Sequence, residues 1–135
     1  DDLEQTVREH GLGDRVEFIG YVPDRDLPGR YAGADLFALP SDYEGMPLTV
    51  LEAAASGTAV LASPRAATDF VTEEMGVVVD PDAAAIATAL DELSRNPDRT
   101  TRMGEAARER AEGYSWAAIA EQYEALYEEL LSRKT

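Results

Sequence analysis

The sequence predicts an α/β protein, a parallel sheet with helices on both faces, and three observations carry that prediction. Short apolar runs (Leu36-Phe37-Ala38-Leu39, Ala59-Val60-Leu61-Ala62 and Gly76-Val77-Val78-Val79) alternate with longer stretches of helical periodicity. These runs are apolar at successive positions, not at every second one, as befits strands covered on two sides. Gly57, Asn96-Pro97-Asp98 and Gly113-Tyr114-Ser115 punctuate the alternation. A length of 135 residues suits one domain, and 44% hydrophobic residues suffice to fill its core. No repeat, low-complexity tract or linker divides the chain.

In chain order, residues 2–10 predict a helix, 15–19 a strand, 24–32 a short helix and 35–39 a strand. A helix over 47–56 opens at Pro47, where a missing N–H costs nothing because the first turn has no internal partner for it. It stops at Gly57, a good C-terminal residue, and a strand follows over 58–62. Next come a short helical piece over 69–74 and a strand over 76–79. Helices over 82–95, 98–112 and 115–132 finish the chain, the last two capped by Asp98 and Ser115. In the final helix Trp116, Ile119, Ala120, Tyr123, Leu126, Tyr127, Leu130 and Leu131 recur at three- and four-residue steps. Trp116 to Tyr123 are expected to pack on the sheet, whereas the Leu126 to Leu131 end is free to be exposed or to pair with a second copy.

Residues 40–62 form the most informative unit, a strand, a turn rich in Ser, Asp and Gly, a helix and a strand. Such a unit sets a helix N-terminus at the carboxyl end of a strand, where unpaired N–H groups and the helix dipole favour phosphate. Glu44 lies in the turn, and Glu52 lies about one and a half turns into the helix. Both carboxylates are within reach of one ligand over the helix start, and carboxylates suit the paired hydroxyls of a sugar or ribose. The spacing alone carries little, because the chain has 15 Glu and repeats the eight-residue interval at Glu9/Glu17 and Glu121/Glu129, two pairs read as solvated faces. Context separates Glu44/Glu52: Pro40-Ser41 before, Gly45-Met46-Pro47-Leu48 between, Ala53 to Val60 after.

That context resembles the donor-binding signature of retaining glycosyltransferases of the GT-B type, family 4 (glycosyl transferases group 1). Pro40, Ser41, Glu44, Gly45, Leu48, Leu51, Glu52, Ala53, Ala55, Gly57 and Val60 stand in register with it. Met46 and Pro47 replace a Phe-Gly pair, Ala54 a Met and Ala59 a Pro. Asp14 to Val22 is similar to the family's strand and loop at the nucleotide base, and Leu27 to Pro40 to its next helix and strand. Ser63 to Val71 stands where the family carries Gly-Gly and then an acid; here Ala66-Ala67 replace the glycines and Asp69 is the acid. Tyr114-Ser115-Trp116 and the long helix after it are also family-like.

The resemblance implies a Rossmann-like carboxy-terminal domain that binds a nucleotide-diphosphate sugar, with the acceptor held by an amino-terminal half. Glu52 is implied for the ribose hydroxyls and Glu44 for those of the transferred sugar. The diphosphate and sugar are implied to face Ser41, Pro47 and the amides of Gly45, Met46 and Leu48, while Gly20 and Val22 meet the base through their backbones. No metal or cofactor is implied; basic side chains and a helix dipole offset the leaving diphosphate's charge. The family's Arg and Lys that grip the diphosphate are expected before Asp1, so residues 1–135 read as a single, amino-terminally truncated domain, inactive alone. A nucleotide-sugar epimerase of the same fold would carry a catalytic His and further acids, and only His10 is present. A flavodoxin-like binding module would explain the alternation but not the Glu44-to-Ala53 core, and fold alone does not decide function.

Zero cysteines exclude disulfides and thiolate metal sites and are compatible with a cytoplasmic protein, at the inner face of the membrane for a full-length enzyme. No apolar run reaches the length of a membrane span. His10, before Gly11, reads as a helix-end surface residue. With 27 acids against 12 bases, 11 of them Arg, the net charge is −15, which argues against nucleic acid and acidic lipid as partners. So many acids suggest a halophile, whose salt screens self-repulsion. Since the Debye length falls from about 10 Å at 0.1 M to about 3 Å at 1 M, the unfolding midpoint should rise as KCl goes from about 0.1 to 2 M. A melting temperature flat against KCl would remove the halophile argument.

Overall fold

Strand β2 (Ala59–Ala62) is the centre of the fold, with all four residues buried. The computed structural model describes residues 2–133, so Lys134, the chain's one lysine, lies outside the described residues. Strand β2 pairs in parallel with β1 (Leu36–Leu39) on one side and with β3 (Gly76–Val78) on the other. Helix α3 (Leu48–Ala55) carries the chain from β1 to β2, and α4 (Pro64–Ala67) with its following loop carries it from β2 to β3. Helices α1 (Asp2–Glu9) and α2 (Leu27–Ala32) precede the sheet; α5 (Ala83–Ser94), α6 (Pro97–Glu112) and α7 (Trp116–Ser132) follow it.

Successive strand residues point to opposite faces, and the two faces feed two apolar clusters. Val60 and Ala62, with Phe37 and Leu39 beside them, pack against Val50 and Ala54 of α3, Ala66 and Ala67 of α4, and Ala107 and Ala111 of α6. On the other face Ala59, with Leu36 and Val77, meets Leu93 of α5 and Met103 of α6. The α/β class with helices on both faces is therefore the observed one. Helix α6 joins both clusters because it crosses the start of β2. Gly104 makes that crossing possible: a Cβ there would stand 2.2 Å from the carbonyl oxygen of Gly57.

The sequence expectations fail in four places, each for a physical reason. Residues 15–19 form no strand. The amides of Arg15 and Val16 turn back onto Leu12 O at 2.9 and 3.1 Å, and Val16, Phe18 and Ile19 remain exposed, joining no ladder among the described residues. The short helix expected over 69–74 lies earlier, at Pro64–Ala67, where Ser63 caps it by accepting from Ala66 N at 3.2 Å and Pro64 fits the first turn. Asp98 is not a cap: Pro97 already occupies the first turn of α6, Asn96 stands at the N-cap, and Asp98 sits inside. Finally, α7 has no buried residue, and Trp116 is 85% exposed, so its apolar face does not pack on the sheet. Ser115 does cap α7, accepting from Ala118 N at 3.2 Å.

Gly104→Ala is expected to destabilise the fold although alanine is the better helix former. The propensity gain of about 1 kcal/mol is outweighed by overpacking, which typically costs about 1–3 kcal/mol and here strikes rigid backbone. Urea unfolding reads the difference; an unchanged or raised midpoint would show that α6 moves off β2 freely.

Candidate donor-binding site

Parallel pairing brings the carboxyl ends of β1 and β2 out side by side, and two connections rise from them. Residues 40–47 lead from β1 into α3, and residues 63–70 lead from β2 through α4. Ser63 ties them: its amide donates to Leu39 O at 3.3 Å and its buried hydroxyl donates to Ser41 O. Ser41 in turn donates its own hydroxyl to Tyr43 O at 3.2 Å, which curls the turn. Pro47 is the buried N-cap of α3, with an extended backbone at φ −70° and ψ 114°. The first amide bonded back within the helix is Val50 N, which reaches Pro47 O at 3.1 Å. The amides of Leu48 and Thr49 thus open the helix, the positions whose N–H groups have no intrahelical acceptor.

Glu52, the fifth residue of α3, is held by a residue the sequence reading missed. Its Oε2 accepts from the Tyr31 hydroxyl at 3.1 Å. Tyr31 is itself fixed: its ring meets Phe37 edge-on at 5.6 Å, and its carbonyl accepts from the buried Thr58 hydroxyl at 2.7 Å. Burial first, then the hydrogen bond and charge of Glu52, hold the Tyr31 phenol above its ordinary pKa of 10.0. No local signal marks this pair, because 21 residues separate Tyr31 from Glu52 and only the packing of α2 on α3 joins them.

Glu44 is half-buried in the turn before α3, and Gly45 is exposed with open space where a Cβ would stand. Met46, Leu48 and Glu52 line a groove of ≈ 760 Å³ together with Arg108, Trp116 and Ile119. Glu44 does not line this groove. Gly20 (φ +60°) and Val22 lie in the irregular segment before α2, and among the described residues no hydrogen bond joins them to residues 40–47. Ala66 and Ala67, in the place of the family's glycines, are helical and buried. Thr68 has a positive φ, at φ 47° and ψ −154°, a region that costs a non-glycine residue of order 1–3 kcal/mol. Its hydroxyl donates to Met46 Sδ at 3.7 Å and accepts from Phe70 N at 3.3 Å. Asp69 is exposed on the same loop.

Residues 1–110 match the profile of the family described as glycosyl transferases group 1. The chain belongs to that family. It is 35% identical over 135 residues to a D-inositol 3-phosphate glycosyltransferase of Corynebacterium kroppenstedtii, a match covering 98% of this chain and 30% of that protein. Among solved structures, sucrose-phosphate synthase from Thermosynechococcus elongatus superposes with a TM-score of 0.86 at 36% identity, over 97% of this chain and 34% of that one. An Anabaena protein in complex with UDP shares the fold at a TM-score of 0.82 and 24% identity, over 97% of this chain and 36% of that one. The chain thus spans about a third of the length of the relatives it matches. Among the described residues no helix is long and apolar enough to cross a membrane, and no three His, Cys, Asp or Glu side chains are grouped to hold a metal. His10 places Nδ1 2.8 Å from Thr6 O at the end of α1.

The Tyr31–Glu52 bond has a pH signature. A phenol whose folded pKa is raised contributes stability that is fully present below the unfolded value of about 10 and is lost as pH climbs through the folded one. The margin of wild type over Tyr31→Phe, at most about 1 kcal/mol, should therefore persist at pH 8 and close in strong alkali. Denaturation of the two proteins in parallel across that range measures it, and a margin that grows with pH would contradict the assigned bond.

Proposed function

We propose that this chain is the donor-binding part of a retaining glycosyltransferase, which takes a nucleotide-diphosphate sugar and passes the sugar to an acceptor held by an amino-terminal half. The observation that carries the proposal is the orientation of Glu52, pinned by Tyr31 beside the start of α3. A carboxylate fixed in advance loses little freedom on accepting the two hydroxyls of a ribose. Family membership and the UDP held by the Anabaena protein of this fold support the nucleotide as the ligand class.

In this reading the diphosphate sits over the opening turn of α3, facing the amides of Gly45, Met46 and Leu48. There the helix dipole favours negative charge and strengthens its hold as the leaving diphosphate gains charge. Glu44, with Ser41 beside it, takes the hydroxyls of the transferred sugar, and Gly20 and Val22 border the base. No metal enters the scheme. The apolar face of α7, exposed at Trp116, Tyr123, Tyr127 and Leu131, is the surface assigned to the amino-terminal half. An epimerase reading gains nothing from the structure, since His10 is engaged at the end of α1 and stands on no part of this site.

Two substitutions in the protein carrying both halves separate the roles of the carboxylates. Glu52→Gln turns a charge-assisted bond into a neutral one and should weaken nucleoside-diphosphate binding by roughly 1–2 kcal/mol in calorimetry. Glu44→Ala should cut sugar transfer while leaving affinity for the bare nucleotide nearly intact. Unchanged nucleotide affinity in the first variant, or equal losses for bare and sugar-linked nucleotide in the second, would refute the division of labour.

A further inference from the structure

Arg110, near the end of α6, reaches back to the loop that follows α4. Its Nε donates to the carbonyl of Phe70, and its Nη2 donates to the carbonyl of Asp69 at 2.8 Å. The guanidinium also lies over the ring of Phe70, 5.6 Å from the centroid. Phe70 is 2% exposed and also meets Tyr114 edge-on at 4.8 Å. A planar guanidinium presents its N–H groups as a rigid fork, so it dictates the spacing and direction of two successive carbonyls; an ammonium does not.

The residue directly before those carbonyls is Thr68, the one non-glycine residue with positive φ among the described residues. A strained conformation persists only where the surroundings over-determine it. Here the restraint comes from Arg110 on one side and from Met46 on the other, through the Thr68 hydroxyl. Met46 belongs to the turn that opens α3. An unbroken line of contacts therefore runs from Arg110, through the loop at 68–70, to the turn at 44–47.

We propose that Arg110 is a positioning residue for the donor site: it clamps the carbonyls of Asp69 and Phe70, holds Thr68 in its positive-φ conformation, and through Thr68 sets Met46 and the turn before α3. It touches no ligand. The inference rests on residues 40–52 being the donor site. Releasing the clamp leaves the loop free to relax, and if the competent arrangement falls to about a tenth of the population, apparent affinity falls about tenfold.

The test is a double-mutant cycle of Arg110→Met, which keeps an apolar stem on Phe70, and Thr68→Ala, which removes the hydroxyl. In the protein carrying both halves, UDP and GDP are the probes for calorimetry, with amide hydrogen exchange followed in parallel. Each single variant should bind the nucleotide about tenfold more weakly, and the double variant no more weakly than the worse single one, because both act along one route. Exchange should quicken at 44–46 and 68–70 in Arg110→Met while β2 and α3 stay protected. Additive losses, or exchange that quickens throughout α6 and β2, would reduce Arg110 to a general structural role and overturn the proposal. So would nucleotide binding unchanged in Arg110→Met. If that variant does not fold, Arg110→Lys takes its place in the cycle, with a smaller loss expected and the same non-additivity required. Should wild type bind neither nucleotide, the donor-site reading fails, while the exchange arm still decides whether Arg110 clamps the loop.

Discussion

The buried hydroxyl of Ser63 is the contact on which the arrangement of the site depends. Parallel pairing delivers the ends of β1 and β2 to the same edge of the sheet, but it does not fix what the chain does after leaving it. Ser63 does so by serving two connections at once: it donates to Ser41 O and accepts from Ala66 N. The first bond anchors the turn that precedes α3, and the second starts α4. Because the side chain is buried, losing either partner would leave a desolvated polar group, which is costly. The two loops are therefore built as one unit, and the contact between Thr68 and Met46 extends that coupling outward.

A second constraint acts from below. Helix α6 presses on the start of β2 through Gly104 and Gly57, and the φ of +81° at Gly57 lets α3 end and β2 begin within a single turn. The same helix carries Arg110 in its last turn, beside the loop that follows α4. One rod thus spans from the start of β2 to the loop that follows α4. Such an element transmits packing at one end into loop geometry at the other, because close-packed interiors deform little.

Charge is distributed differently from apolar surface. The described ion pairs, such as Arg95–Asp91 at 3.0 Å, join exposed side chains, where such pairs contribute little. With a net charge of −15, the basic groups near the site matter more for where they stand than for their number. Arg110 spends two donors on backbone carbonyls, and Arg108 lines the groove shared by Glu52 and Trp116. The apolar face of α7 is exposed at Trp116 (85%) and Tyr127 (60%).

What the sequence by itself determined was local: the apolar runs of β1, β2 and β3, the stop at Gly57, the Ser115 cap, and the Glu44-to-Glu52 unit whose order of residues marks the family. Each of these is written within a few neighbouring positions, where propensity, capping and spacing act directly. Tertiary structure alone decided the rest. Residues 15–19 have a strand's composition, but a strand needs a partner's ladder, and among the described residues they join none. Trp116 has a core residue's character yet stands in the open, because burial depends on what packs against a helix face and not on its periodicity. Tyr31 on Glu52, and Arg110 on Phe70 some 40 residues away, are bonds between distant segments. Folding brings those partners together, and no short-range pattern encodes them.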